Sequence, residues 1–142
     1  PREINPDSFY RFRIKEEVVF DKESSRLFWR ILGICPVLNI YNSIGMYMGE
    51  QEAFWIYYPE TRPLLAKYEV YNGKNYGSIM SWEDLFESRM FSGRIIKCSM
   101  DNPTNKNLRN MKVLENNPLM QLYEGENIKQ KIHTYEQDQW SY

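Results

Sequence analysis

The stretch YRFRIKEEVVFDKESSRLFWRILGICPVLNI, Tyr10 to Ile40, decides the fold. Its first half alternates, with Tyr10, Phe12, Ile14, Val18 and Phe20 on even positions and Arg11, Arg13, Lys15, Glu17 and Asp21 on odd ones, broken only by Glu16 and Val19. A period of two with one apolar and one charged face is the pattern of a half-exposed strand. Asp21 to Ser25, DKESS, supplies turn formers. Beyond the turn both faces are apolar: Leu27, Trp29, Ile31 and Val37 on one, Phe28, Leu32, Ile34 and Leu38 on the other. A strand covered on both faces lies inside a sheet. The stretch therefore predicts a long hairpin whose second strand is central and whose Trp29 is core. Pro36 has no N–H to give a ladder, which predicts a bulge or a strand end beside it.

Outward from the hairpin, YNSIGMYMGEQE, Tyr41 to Glu52, shows no sustained period and reads as an irregular connection. AFWIYY, Ala53 to Tyr58, reads as a third strand closed by Pro59. ETRPLLAKYEVYN follows as a short amphipathic helix with Leu64, Leu65 and Tyr68 on its stripe, ending in a loop at Gly73 and Gly77. Ser81 and Asp84 have the spacing of a capping box, opening a helix with Trp82, Leu85, Phe86 and Met90 on its apolar side and a stop near Gly93. Asp101 to Pro118 is Asn-rich with two prolines and reads as a long loop. A last helix over Glu124 to Gln139 places Ile128, Ile132, Tyr135 and Gln139 on one face. These elements predict an α+β fold: a small antiparallel sheet of about three strands, with helices packed mainly on one face. With no repeat and no linker, residues 1–142 read as a single domain.

Composition narrows function mainly by exclusion. Eighteen basic against nineteen acidic residues leave a net charge of −1, so no overall field gathers nucleic acid. Arg11, Arg13 and Lys15 share a strand face that the aromatics do not, whereas a single-strand groove needs bases and rings together. No run is long and apolar enough for a membrane helix, and no leader opens the sequence at Pro1, as in a processed chain or an excised domain. Cys35 and Cys98 lack a metal spacing and read as two buried thiols or one disulfide. His133 is the single histidine, with Lys129 and Gln137 at its i−4 and i+4 positions, so a Ser-His or Cys-His system finds no support. Glu83, Asp84 and Glu87 sit at a helix start, where capping and the helix dipole call for acids without any catalysis. GKNYGS, Gly73 to Ser78, lacks the order of a phosphate-binding loop and reads as a turn. No metal, cofactor or catalytic group is predicted. The surplus is aromatic: four Trp, eleven Tyr and seven Phe, 15% of the chain.

SSRLFWRILGICPV, AFWIYYPETRPLLAKYEVYN, SWEDLFESRMFSGRIIKCS and ENIKQKIHTYEQDQWSY, in that order, resemble the GldN family, called PorN in its non-gliding members. The resemblance covers Ser24 to Ser99 and Glu124 to Tyr142, read as the family's C-terminal region. Its most specific pieces are Phe54-Trp55-x-Tyr57-Tyr58-Pro59-Glu60-x-Arg62-Pro63 and Phe86-Glu87-x-Arg89-Met90-Phe91. Asp101 to Pro118 matches nothing familiar and reads as a variable loop, and the signal peptide and N-terminal segment of family members are not seen. The resemblance implies a non-enzymatic part of the type IX secretion and gliding machinery. In that family the protein is periplasmic. It forms a ring beneath the outer membrane with an anchored lipoprotein, self-associates, and meets the periplasmic region of the inner-membrane motor subunit. Trp55, Tyr57, Tyr68 and Tyr71 are the candidate partner-interface residues. The alternative is a carbohydrate- or peptidoglycan-binding module stacking sugars on Trp55, Tyr57 and Tyr58 beside Glu60 and Asn72.

Overall fold

A computed structural model of the chain describes residue 5, residues 8–71 and residues 78–140, the last two without their side chains. Asn72 and the turn expected from Gly73 fall outside the described residues, as does the Gln139 side chain of the last helical stripe. The order is β1 (Phe12–Asp21), β2 (Arg26–Tyr41), β3 (Tyr47–Glu52), β4 (Ile56–Tyr57), α1 (Tyr58–Leu65), β5 (Glu69–Val70), β6 (Met80–Ser81), α2 (Trp82–Glu87) and α3 (Pro118–Trp140), with a 3-10 turn at Leu108–Asn110 before α3. The fold is α+β, as the sequence predicts.

The long hairpin forms, with β2 central. Its turn is set by Asp21, whose carboxylate accepts the Glu23 N–H at 3.0 Å and the Ser24 hydroxyl at 2.6 Å. Those two donors hold the Asp21 carboxyl below its usual pKa. Pro36 does not end β2, which runs on for sixteen residues. The Pro36 carbonyl accepts the Ala53 N–H at 3.0 Å, while the Val37 N–H turns to the opposite edge and reaches the Arg11 carbonyl at 3.1 Å. A residue's N–H and C=O share one edge of an antiparallel strand. The N–H that Pro36 lacks would therefore face the same edge as Ala53, and there the neighbouring chain breaks. β3 pairs with β2 from Val37↔Glu52 to Tyr41↔Tyr47, and β4 pairs at Gly33↔Tyr57 and Ile34↔Ile56. Proline interrupts the neighbour, not its own strand.

The main sheet has four strands where the sequence suggests about three. The connection expected over Tyr41–Glu52 contains β3, which is exposed at all but one of its positions and so carries no apolar–polar alternation. The third strand expected over Ala53–Tyr58 shrinks to Ile56–Tyr57. Phe28 is 47% exposed and Trp29 half-buried, so the β2 core narrows to the segment from Ile31 to Val37. The stripe expected on α1 also fails, since Leu64 and Tyr68 are exposed and Tyr58 is the buried residue of that helix.

The chain divides into two compact units, Pro1–Val19 with Phe28–Met90, and Phe20–Leu27 with Phe91–Tyr142. The first is built on Ile31, Ile34, Cys35, Val37, Tyr58 and Phe86. The second is built on Leu108, Leu114, Ile128 and Ile132. Ile128 and Ile132 face inward as their spacing predicts, and Tyr135 meets Phe20 edge-on at 6.2 Å. The helix starts earlier than expected, at Pro118. Asn117 caps it by accepting the Met120 N–H at 3.2 Å, and proline at the first helical position has no N–H to leave unpaired. The long loop before it is stapled from within. The buried Asn102 amide donates to the Cys98 and Lys106 carbonyls, each at 2.8 Å, and its oxygen accepts the Lys106 N–H at 3.0 Å.

Candidate functional site

The two most specific sequence stretches, FWIYYPETRP and FESRMF, dock on each other. Ser81 opens α2 as N-cap, its hydroxyl accepting the Asp84 N–H while the Asp84 carboxylate accepts the Ser81 N–H, the predicted capping box. Those bonds keep the Asp84 carboxyl below its ordinary pKa. The helix so placed turns Glu83, Phe86 and Glu87 toward α1. Tyr58, 2% exposed, meets the Phe86 ring edge-on at 5.9 Å and donates its hydroxyl to Glu87 at 2.9 Å. Burial first, and the Glu87 carboxylate second, push the phenol above its usual pKa. Arg62 spans the same pair of acids, 2.8 Å from Glu83 and 3.6 Å from Glu87. Its partner is thus across the helix pair, not Glu60 in its own turn. A phenol, a guanidinium and two carboxylates converge here, yet each satisfies another. Together they join two helices. Ser81→Ala should cost about 1 kcal/mol in chemical denaturation. Because the folded Asp84 pKa is depressed, the cap's contribution is present above the ordinary carboxylate range and fades as pH falls through it.

Arg89 ties the end of α2 to the sheet. After the C-cap Ser88, the Arg89 N–H bonds the Phe86 carbonyl at 3.2 Å and the Met90 N–H bonds the Leu85 carbonyl at 3.0 Å. This is a Schellman motif, whose left-handed position normally takes glycine. Here Arg89 adopts φ +54°. Its guanidinium grips both oxygens of Glu16 on β1 and lies 5.3 Å from the centre of the Trp29 ring on β2. Side-chain contacts thus hold a residue in a conformation that costs about 1–2 kcal/mol away from glycine. Arg89→Ala loses the contacts and keeps the strain, while Arg89→Gly loses both. The glycine variant should therefore be the more stable of the two by about 1 kcal/mol in thermal melts.

Two basic residues of the charged face, Arg11 just before β1 and Arg13 on it, are paired across the sheet. Arg11 bonds Glu50 and Arg13 bonds Glu52 on β3, the latter at 2.6 Å, which spends these guanidiniums on carboxylates instead of phosphates. Glu52 also accepts the Trp55 indole N–H at 3.0 Å, and the Trp55 ring lies over Gly33, where an added Cβ would stand 3.1 Å from it. Glycine leaves room for the ring against the strand. All four candidate interface residues are exposed: Trp55 46%, Tyr57 56%, Tyr68 60% and Tyr71 75%. Trp55 and Tyr57 share a setting at β4, beside Phe54, which meets Phe9 edge-on at 6.3 Å. Tyr68 and Tyr71 flank β5, on the far side of α1 in the chain. Tyr58, one of the three rings considered for stacking sugars, is removed from the surface by its burial. A second apolar surface escaped the sequence reading. Ile44, Met46, Tyr47 and Met48 lie exposed at the tip between β2 and β3.

Elsewhere the described residues gather little chemistry. Cys35 is buried, Cys98 half-buried, and both are free thiols. His133 lies on the surface of α3, 3.2 Å from Gln137 and 3.7 Å from Glu136. No three His, Cys, Asp or Glu among the described residues could hold a metal ion. A groove of about 430 Å³ is lined by α3 alone, from Glu124 to Asp138, and a concavity of about 60 Å³ lies between Cys98, Leu108, Met111 and Ile128. A small-molecule site is enclosed on most sides and spans about 300–1,000 Å³. One is open and the other too small. No helix among the described residues is long and apolar enough to cross a membrane.

No curated protein matches the chain. The sequence model of one family, described as gliding motility associated protein GldN, matches residues 1–141. The matched range begins ahead of the resembling segments and spans Asp101–Pro118. With 141 of 142 residues matched, the chain belongs to the GldN family of gliding motility associated proteins.

Proposed function

We propose that the chain is a non-enzymatic structural component of the gliding and type IX secretion machinery, working in the periplasm. There it builds a ring under the outer membrane with an anchored lipoprotein, associates with further copies of itself, and meets the periplasmic region of the inner-membrane motor subunit. Family membership makes it a component of that machinery. One observation supports the finer reading: Tyr58 and Arg62 of the signature stretches are both engaged with Glu87, while Phe54, Trp55 and Tyr57 remain exposed. Interfaces between proteins are enriched in Tyr, Trp and Met, so such a surface suits assembly better than chemistry. Co-purification with the lipoprotein tests it. A tagged chain should retain the lipoprotein through washing, with Tyr57→Asp and Tyr68→Asp weakening retention. A chain that never retains it fails the proposal.

We also propose that residues 1–142 fold as a single domain. Domain boundaries fall in exposed linkers, whereas the line between the two compact units crosses two strands of one sheet. Tryptophan fluorescence and far-ultraviolet circular dichroism should report one coincident unfolding transition. Two separated transitions would show two domains.

A further inference from the structure

We infer that the tip of the β2–β3 hairpin is a docking finger that seats on the Phe54–Tyr57 ledge of a second copy of this chain. The inference rests on the self-association proposed above and names its two surfaces. From Leu38 to Gly49 the sequence LNIYNSIGMYMG carries no charge. Ile44 is 80% exposed and Met48 62%, with Met46 between them in the same tip. Soluble chains rarely leave such a cluster uncovered.

The finger is built rather than frayed. The Asn42 side-chain oxygen accepts the N–H of Ile44 at 3.1 Å and of Met46 at 2.8 Å. The Asn42 N–H bonds the Met46 carbonyl at 2.9 Å, and Gly45, at φ +81°, returns its N–H to the Asn42 carbonyl at 3.0 Å. At the base, Tyr41 and Tyr47 are opposed in register and meet edge-on at 5.9 Å. A tip already held in one shape loses little conformational freedom on docking.

Chemistry selects the occupant. An anionic lipid surface would be met by basic residues near an inserting tip. The first charges down β3 are instead Glu50 and Glu52, each paired with an arginine, so the flank carries no surplus of positive charge. A protein surface whose nearest carboxylate is already engaged avoids stranding an ion under the apolar tip, and this chain carries one, since Glu52 beside Trp55 is paired with Arg13 and the indole N–H. Ala53 to Pro59, AFWIYYP, is charge-free and aromatic, and Trp55 is fixed there by Glu52 and Gly33. Methionine thioethers pack favourably on aromatic rings. Tip and ledge lie at opposite ends of β3, about 20 Å apart at strand rise, so a finger cannot reach the ledge of its own molecule. The contact then joins two different surfaces on two copies, and repeats head to tail into a ring or filament.

Sedimentation velocity of the full chain over a range of concentrations tests this with Ile44→Asp and Tyr57→Asp, both at exposed positions, with circular dichroism confirming native fold. Wild-type chain should self-associate, and each variant alone should weaken association at least tenfold. An equimolar mixture should restore pairs and nothing larger, since one intact finger and one intact ledge remain. Variants that associate like wild type, or a mixture that stays monomeric while wild type assembles, overturn the finger and leave self-association standing. A wild-type chain monomeric throughout overturns both.

Discussion

Tyr58→Ala is expected to destabilise the protein by about 3–5 kcal/mol, the range for removing a large buried aromatic side chain. The magnitude follows from position. Tyr58 is 2% exposed, opens α1 against the Phe86 ring of α2, and carries the hydroxyl that meets Glu87. Truncation leaves a cavity where the two signature stretches meet and strips Glu87 of a donor. Tyr58→Phe keeps the ring and should cost only about 1 kcal/mol, because Arg62 still attends Glu87. The pair of variants separates packing from hydrogen bonding. The phenol also gives a pH signature. Its folded pKa is raised from the ordinary 10.0, so its contribution is complete below about pH 10 and is lost as the unfolded chain becomes the better place to ionise. The stability difference between wild type and Tyr58→Phe should shrink above that pH. A difference unchanged from neutral to strongly alkaline conditions would place the hydroxyl in water.

Gly125→Leu is expected to cost about 3 kcal/mol, at the upper end of the range for overpacking a filled site. Gly125 lies inside α3, where glycine is a poor helix former and alanine would ordinarily be preferred by about 1 kcal/mol. Its reason for being there is distance. A Cβ at this position would stand 3.1 Å from the Ile95 backbone carbonyl, and backbone cannot swing aside as a side chain can. Gly93, where an added Cβ meets nothing within 4 Å, provides the control. Gly93→Ala should leave the denaturation midpoint nearly unchanged. Equal effects at the two glycines would refute the close approach of α3 to Ile95.

How much of this was legible depends on whether a residue's constraint is local. The hairpin could be read because alternation and turn chemistry at Asp21 act within a few residues. The capping box of Ser81 and Asp84 could be read for the same reason. Pro36 misled because its effect falls on the neighbouring strand, at Ala53, seventeen positions away in sequence. β3 was hidden because neither of its faces is packed, so Tyr47-Met48-Gly49-Glu50-Gln51-Glu52 has no alternation to signal a strand. The start of α3 was in fact legible, since Asn117-Pro118 is a cap followed by a first-turn proline, but the apolar stripe drew attention to Ile128 and Ile132 instead. Arg89 gave no local sign of its role. An arginine in a glycine's place is explained by its contacts with Glu16 and Trp29, both distant in sequence. Among the candidate interface residues, periodicity could assign Trp55 and Tyr57 to one face of a strand. It could not say whether that face is covered, which is a property of the whole fold. The apolar tip at Ile44 was missed because four exposed apolar side chains around a turn look, residue by residue, like an unremarkable connection.

The proposed assembly is tested most directly by negative-stain microscopy of the chain co-expressed with the membrane-anchored lipoprotein proposed as its partner. Closed rings containing both proteins are expected, and the Ile44→Asp and Tyr57→Asp variants should yield open or unassembled complexes. Co-purified particles holding a single copy of each protein, at every concentration imaged, would contradict a ring-forming role.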